Sequence, residues 1–204
     1  GTLVSVASGA MRSYYTYTGN EPLAGTLSYA GFLSELAGTN VCLRSEELDN
    51  AAWSDINTPT VTADSTVAPD GTTTADTLTN TAGSFEGRRQ AITVANDSTT
   101  WCASIFIKKQ SLVGGAGLAI NFSGGTALTY GVAINPNASG SSNALVSGYT
   151  PALGTITAPS ASGFEEWNDD YQRVYVSGAN NSTGNTTLSI DVIANAGDDG
   201  AGAW

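Results

Sequence analysis

The stretch TNVCLRSEELDNAAW, residues 39–53, decides how the rest of the chain is read. It opens on a short apolar run, Val41-Cys42-Leu43, which reads as the first strand of a β-sandwich. Arg44, Glu46 and Glu47 then break the run into a polar turn. Residues 46–52 carry a short helix signal, and Trp53 closes the stretch as a ring folded back over a core.

Working outward, the composition points the same way. Gly accounts for 24 of 204 residues and Lys plus Arg for only seven. Helix formers are sparse while Ser, Thr, Asn and Val are abundant, which favours short strands joined by turns. At this length the chain holds one domain with a sizeable core and a small extension. The net charge of −11 argues against a nucleic acid partner, because phosphate binding requires clustered cations. An anionic membrane surface is disfavoured for the same reason, and no apolar run reaches membrane-spanning length.

Histidine is absent from the sequence. That removes Ser-His-Asp and Cys-His nucleophile arrangements, histidine general bases and histidine zinc sites together. Cys42 and Cys102 each sit in an apolar, strand-like run. Two buried free thiols are expected, with a single disulfide as the alternative.

Strand signals follow one another along the chain. Residues 60–63 alternate, and Pro69-Asp70-Gly71 is a turn in which proline presets φ and glycine accepts a positive φ. Further strands are read at 88–94, 101–108, 118–122, 127–134, within 165–176 and at 186–194, with weaker ones near 144–146 and 154–157. About nine to eleven short strands with no helices between them make a two-sheet sandwich. Alternation assigns Val41, Leu43, Ile105, Ile107, Val174, Val176, Ile190 and Val192 to its core. Residues 1–38 read as a separate β-rich lead-in, with the tyrosine run 14–17 either a contact with other copies or one edge of a small sheet.

A resemblance sharpens this reading. Glu35, Thr39, Asn40, residues 43–47 and residues 49–53 match, in order, the opening of a jelly-roll module found in phage tail-fibre and other virion proteins, a module that looks like carbohydrate-binding modules. Cys42 and Leu48 stand as apolar swaps. Residues 68–78 resemble the second motif of that family, APDGTTTADRL. More loosely, 101–108 and 165–176 resemble its later strands, with Tyr171 and Arg173 on matching positions. The resemblance implies a two-sheet jelly roll over residues 39–204, preceded by a connector and oligomer-contact segment at 1–38. It also implies a non-enzymatic virion component, assembled in the bacterial cytoplasm and probing host-surface glycans. The alternative is a carbohydrate-binding module of a secreted polysaccharide-degrading enzyme. Three-fold fibres are common among such proteins, so a homotrimer is expected. Trp204 resembles the first residue of a final WGAQ motif, so the chain reads as part of a longer protein.

Candidate sites follow from the residue types. Sugar binding requires an exposed ring to stack on a pyranose face, flanked by hydrogen-bonding side chains. Trp167, with Asn168 and Asp169 beside it, fits that requirement, unless the ring simply covers a sheet edge; Tyr130 is a second candidate. Calcium takes six to eight hard oxygen ligands. Jelly-roll carbohydrate-binding modules often hold one between first and last strands, which would place it at Glu46 or Glu47 with Asp198 or Asp199. An ion pair of Glu46 or Glu47 with Arg44 or Arg173 is the alternative. Glycoside hydrolysis needs two facing carboxyl groups, whereas neighbours on a strand point to opposite faces, so the adjacent acidic pairs 46/47, 165/166, 169/170 and 198/199 do not qualify alone. Far-ultraviolet circular dichroism is expected to show strand and turn with helix well under about a quarter of the chain, below the ordinary globular level.

Overall fold

The computed structural model describes residues 12–18, 26–33, 39–81, 86–109, 116–135, 144–146, 157–194 and 201–203. The chain divides into two compact units, Gly1–Val41 and Cys42–Trp204. In the first, β1 (Arg12–Thr18) and β2 (Thr26–Leu33) form an antiparallel hairpin. Its register shifts between Tyr14 and Tyr15, a one-residue bulge. The side chains of Tyr14, Tyr15 and Tyr17, expected to meet other copies, lie outside the described residues.

The second unit contains β3 (Ser54–Ile56), β4 (Thr60–Thr66), β5 (Ala75–Thr79), β6 (Glu86–Thr93), β7 (Thr100–Lys108) and β8 (Ala116–Ser123). It continues with β9 (Leu128–Asn135), β10 (Ala144–Val146), β11 (Ala161–Glu166), β12 (Tyr171–Ala179), β13 (Thr187–Ala194) and β14 (Ala201–Ala203). Its strands form a six-stranded sheet ordered β10-β9-β8-β13-β6-β3 and two three-stranded sheets, β11-β12-β7 and β14-β5-β4. Every ladder is antiparallel. β8 and β9 lie opposite β12, β8 also lies opposite β7, and β13 lies opposite β5, while β14 runs beside β7. The six-stranded sheet is therefore one layer and the two smaller sheets are the other. The fold is all-β and sandwich-like, with no α-helix among the described residues.

Period-2 alternation fills the space between the layers. Leu118, Ile120 and Phe122 of β8 and Leu188 and Val192 of β13 meet Ala103 and Ile107 of β7, Val174 and Val176 of β12 and Leu78 of β5. Phe122 and Tyr130 meet edge to face with centroids 6.1 Å apart. Each large side chain buried this way contributes about 1.5–3 kcal/mol relative to exposure. Of the expected core, Ile107, Val174, Val176 and Val192 are buried, and Ile105 and Ile190 are half-buried against the cluster. Val41 is half-buried.

Leu43 departs from expectation. It is 68% exposed, and residues 39–43 are not a strand. The reason is a side chain standing in for a neighbouring strand. The buried Gln90 amide accepts from the Leu43 N–H at 2.6 Å and donates to the Leu43 carbonyl at 2.7 Å. With its backbone satisfied from within, the Leu43 side chain is turned to solvent.

Residues 46–52 are not a helix either. Three successive turns replace it, with the N–H of Glu47, Asn50 and Trp53 donating to the carbonyls of Arg44, Glu47 and Asn50. Arg44 sits in the left-handed region at φ 51°, which bends the chain out of any helical path. Trp53 does cover the core: it is buried, and its indole N–H donates to the Arg44 carbonyl at 2.9 Å.

Three buried polar side chains pin this looped stretch. Asp76 of β5 accepts from the N–H of Leu48 at 2.7 Å and of Asp64 at 3.0 Å. Arg88 of β6 donates to the carbonyls of Trp53 at 2.8 Å and Asn50 at 3.2 Å and pairs with Asp55. Gln90, also of β6, holds Leu43. Since β5 and β6 belong to opposite layers, the loop is stitched to both and closes one end of the sandwich. Asp76→Ala would leave two backbone N–H groups without their acceptor, at about 1–3 kcal/mol each. Denaturant unfolding is expected to show a loss of about 2–4 kcal/mol, against less than about 0.5 kcal/mol for Ala at the exposed Glu46. Equal small losses at both positions would refute the pinning role.

Candidate functional site

Strands β7, β12 and β11 show two faces. The inward set joins the core. The outward set is Cys102, Ser104 and Phe106 of β7, Arg173, Tyr175 and Ser177 of β12, and Gly163 and Glu165 of β11. Register aligns Phe106, Arg173 and Glu165 in one row across the sheet and Ser104, Tyr175 and Gly163 in the next. Arg173 joins the rows, donating to Glu165 Oε2 and to Ser104 Oγ, both at 3.2 Å. Tyr175 lies with its phenol end over Gly163, where an added Cβ would come within 2.7 Å of the hydroxyl oxygen. Glycine at 163 is therefore what lets that ring settle onto the sheet.

Trp167 stands at the tip of the β11–β12 hairpin. It is 59% exposed, and its ring meets Phe106 edge to face at 5.1 Å. The tip is fixed from several sides. The N–H groups of Trp167 and Asn168 donate to the Tyr171 carbonyl at 3.2 and 3.3 Å. Asn168 Oδ1 accepts from the N–H of Asp170 at 2.9 Å and of Tyr171 at 2.7 Å. Lys109 donates its N–H to the Asp170 carbonyl at 2.8 Å and its ammonium to the Asn168 carbonyl at 2.9 Å. The buried Tyr171 hydroxyl donates to the Val67 carbonyl, and Lys108 Nζ donates to Thr66 Oγ1 at 2.8 Å. The half-exposed Val67 is thereby tied to the same rim. Burial, and secondarily the charge of Asp170, raises the Tyr171 pKa, so this hydroxyl keeps its proton and remains a donor.

The other expected site residues are placed as follows. Asp169 is exposed at the hairpin tip. The Asn168 side-chain oxygen is taken by two loop N–H groups, which makes it an organiser of the tip. Tyr130 is turned inward: it is 6% exposed, donates to the Ala179 carbonyl at 2.8 Å, and its ring fills the space above Gly178 that a side chain there would need. Glu46 is exposed, and Glu47 pairs with Arg44 at 3.1 Å and accepts from Asn50 at 2.9 Å. Asp198 and Asp199 lie outside the described residues. Among the described residues no group of three or more Cys, Asp or Glu side chains converges as a metal site.

The fully buried carboxylates are occupied by their own chain. Asp191 accepts two bonds from Arg89 at 2.6 Å and one from Asn121 at 2.8 Å, and its hydrogen bonds raise the Arg89 pKa against the effect of burial. Glu86 accepts from the Thr58 hydroxyl at 3.0 Å and the Thr81 N–H at 2.8 Å.

Sequence reasoning missed Phe106 and Tyr175 as members of the outward face. The signal was present, because both rings fall on the same alternation phase as Ser104, Arg173 and Ser177, opposite to the apolar phase. No protein-family model and no curated protein matches the chain.

Both cysteines are free thiols. Cys42 is half-buried, but Cys102 is exposed, contrary to expectation, because it falls on the outward phase of β7. Burial raises both thiol pKa values; at Cys102 the Arg173 charge opposes this and Glu165 adds to it. A raised pKa lowers the reactive thiolate fraction near neutral pH. Alkylation by iodoacetamide at mildly alkaline pH is expected to be slower at both sites than in the unfolded chain, and to accelerate as pH rises. Equal rates in folded and unfolded protein would contradict this.

Proposed function

We propose that the chain is a non-enzymatic adhesion subunit of a bacteriophage virion, a jelly-roll component of a tail fibre, spike or head decoration, that contacts host-surface glycans through the outward face of β11, β12 and β7. The observation that carries the reading is Trp167: a mostly exposed indole, braced by Phe106 on a hairpin tip held by Asn168 and Lys109. An indole fixed in this way presents a ring face to a sugar at little entropic cost. Arg173 and Glu165, in the row of Phe106, and Asp169, exposed on the same hairpin tip, add groups that bond hydroxyls.

The virion assignment rests on the resemblance of residues 39–53 and 68–78 to phage structural proteins. The adhesion role fits a surface of few rings, since weak single contacts become useful when many copies act together. In this reading the copies associate through the N-terminal unit as a homotrimer. The absence of histidine and the occupied buried carboxylates favour binding over catalysis.

Trp167→Ala is expected to weaken binding to host-cell glycans at least about tenfold, equivalent to about 1.4 kcal/mol. The melting temperature should barely move, because the ring is largely in solvent. Glycan-array or whole-cell binding with a parallel melting curve checks both, and undiminished binding would remove the reading.

A further inference from the structure

Resting on the glycan reading, we infer that the ligand is a neutral glycan chain lying along β12 across two aromatic subsites, not a single sugar and not an acidic polysaccharide. The first subsite is the Trp167–Phe106 pair, in the row of Arg173. The second is Tyr175, two residues further along β12 and settled over Gly163. At strand spacing the two rows are roughly 7 Å apart, so one ring face cannot serve both. Arg173, joined to Glu165 and Ser104, lies between them and offers donors and acceptors to the hydroxyls of a chain that bridges them.

Charge selects the class. Six Lys and Arg side chains are described, and three of them, Arg44, Arg88 and Arg89, are closed in ion pairs away from this face. The other three, Lys108, Lys109 and Arg173, lie on or beside it, next to Glu165, Asp169 and Asp170. Among the described side chains, these three positive and three negative groups compensate one another. The face is locally balanced on a molecule of net charge −11. An acidic chain would meet no excess of cations there and would approach against the field of the whole protein. A neutral chain meets neither penalty.

Calorimetric titration of the full chain separates the outcomes, using neutral gluco- and galacto-oligosaccharides from mono- to hexasaccharide and oligogalacturonides of matched length, at low and high salt. Affinity is expected to rise at least about tenfold, equivalent to about 1.4 kcal/mol, from mono- to tetrasaccharide. Neutral chains should exceed their acidic counterparts, with little salt dependence. Tyr175→Ala should reduce tetrasaccharide affinity to the level of a shorter chain, and Trp167→Ala should abolish binding of all lengths. Equal affinity for mono- and tetrasaccharide, or stronger and salt-sensitive binding of the oligogalacturonides, overturns the inference while leaving the glycan reading in place. No binding of any oligosaccharide by the native chain, alongside loss of cell binding in neither variant, overturns both. The length series on the native chain decides the matter even if the Tyr175 variant fails to fold.

Discussion

Residues 43–53 run through a crowded end of the sandwich without a ladder partner, and a buried backbone group that is not hydrogen-bonded is costly. Side chains supply what a strand would have supplied. Gln90 takes both polar groups of Leu43, Asp76 takes the Leu48 N–H, and Arg88 takes the carbonyls of Asn50 and Trp53. Because these come from strands in opposite layers, the same bonds that satisfy the loop also hold the layers in register at that end. Trp53 can then close over Leu78 and its neighbours.

Much of this was legible in the sequence, for a definite physical reason. Alternation in 101–108, 171–176 and 186–194 fixed which side chains of β7, β12 and β13 turn inward, because the strand repeat is two residues and admits no intermediate phase. The role of Trp53 followed from its place after a polar turn. Leu43 and residues 46–52 misled because local pattern does not report long-range partners. The apolar run 41–43 has the composition of a strand, but its hydrogen bonds go to a glutamine 47 residues away. Residues 46–52 have helix-forming side chains, yet the left-handed Arg44 and the pull of Asp76 on Leu48 impose turns.

The candidate site was half legible. Trp167 stood out because a large ring flanked by acidic and amide residues cannot easily be core. The burial of Tyr130 was not legible, because nothing in its own stretch shows that Gly178, on a distant strand, leaves a ring-sized gap beneath it. Tyr175 and Phe106 were legible but overlooked. Each sits in an apolar-looking strand, yet each falls on the alternation phase of Ser104, Arg173 and Ser177, and the pairing of β11, β12 and β7 gathers that phase on one outward face.

That phase relation separates two kinds of change. On β7, β12 and β11, odd and even positions answer to different pressures: one set is constrained by packing against β8 and β9, the other by whatever touches the surface. Substitutions at 104, 106, 165, 173 and 175 change the face opposite to the one through which Val174 and Ile107 join the core. Gly163 is the exception, because its missing side chain shapes the bed on which Tyr175 lies. A lineage could therefore remodel this surface through point changes at even positions of β7 and odd positions of β12 and β11, at almost constant stability, while insertion of one residue into any of these strands would turn the surface into the core.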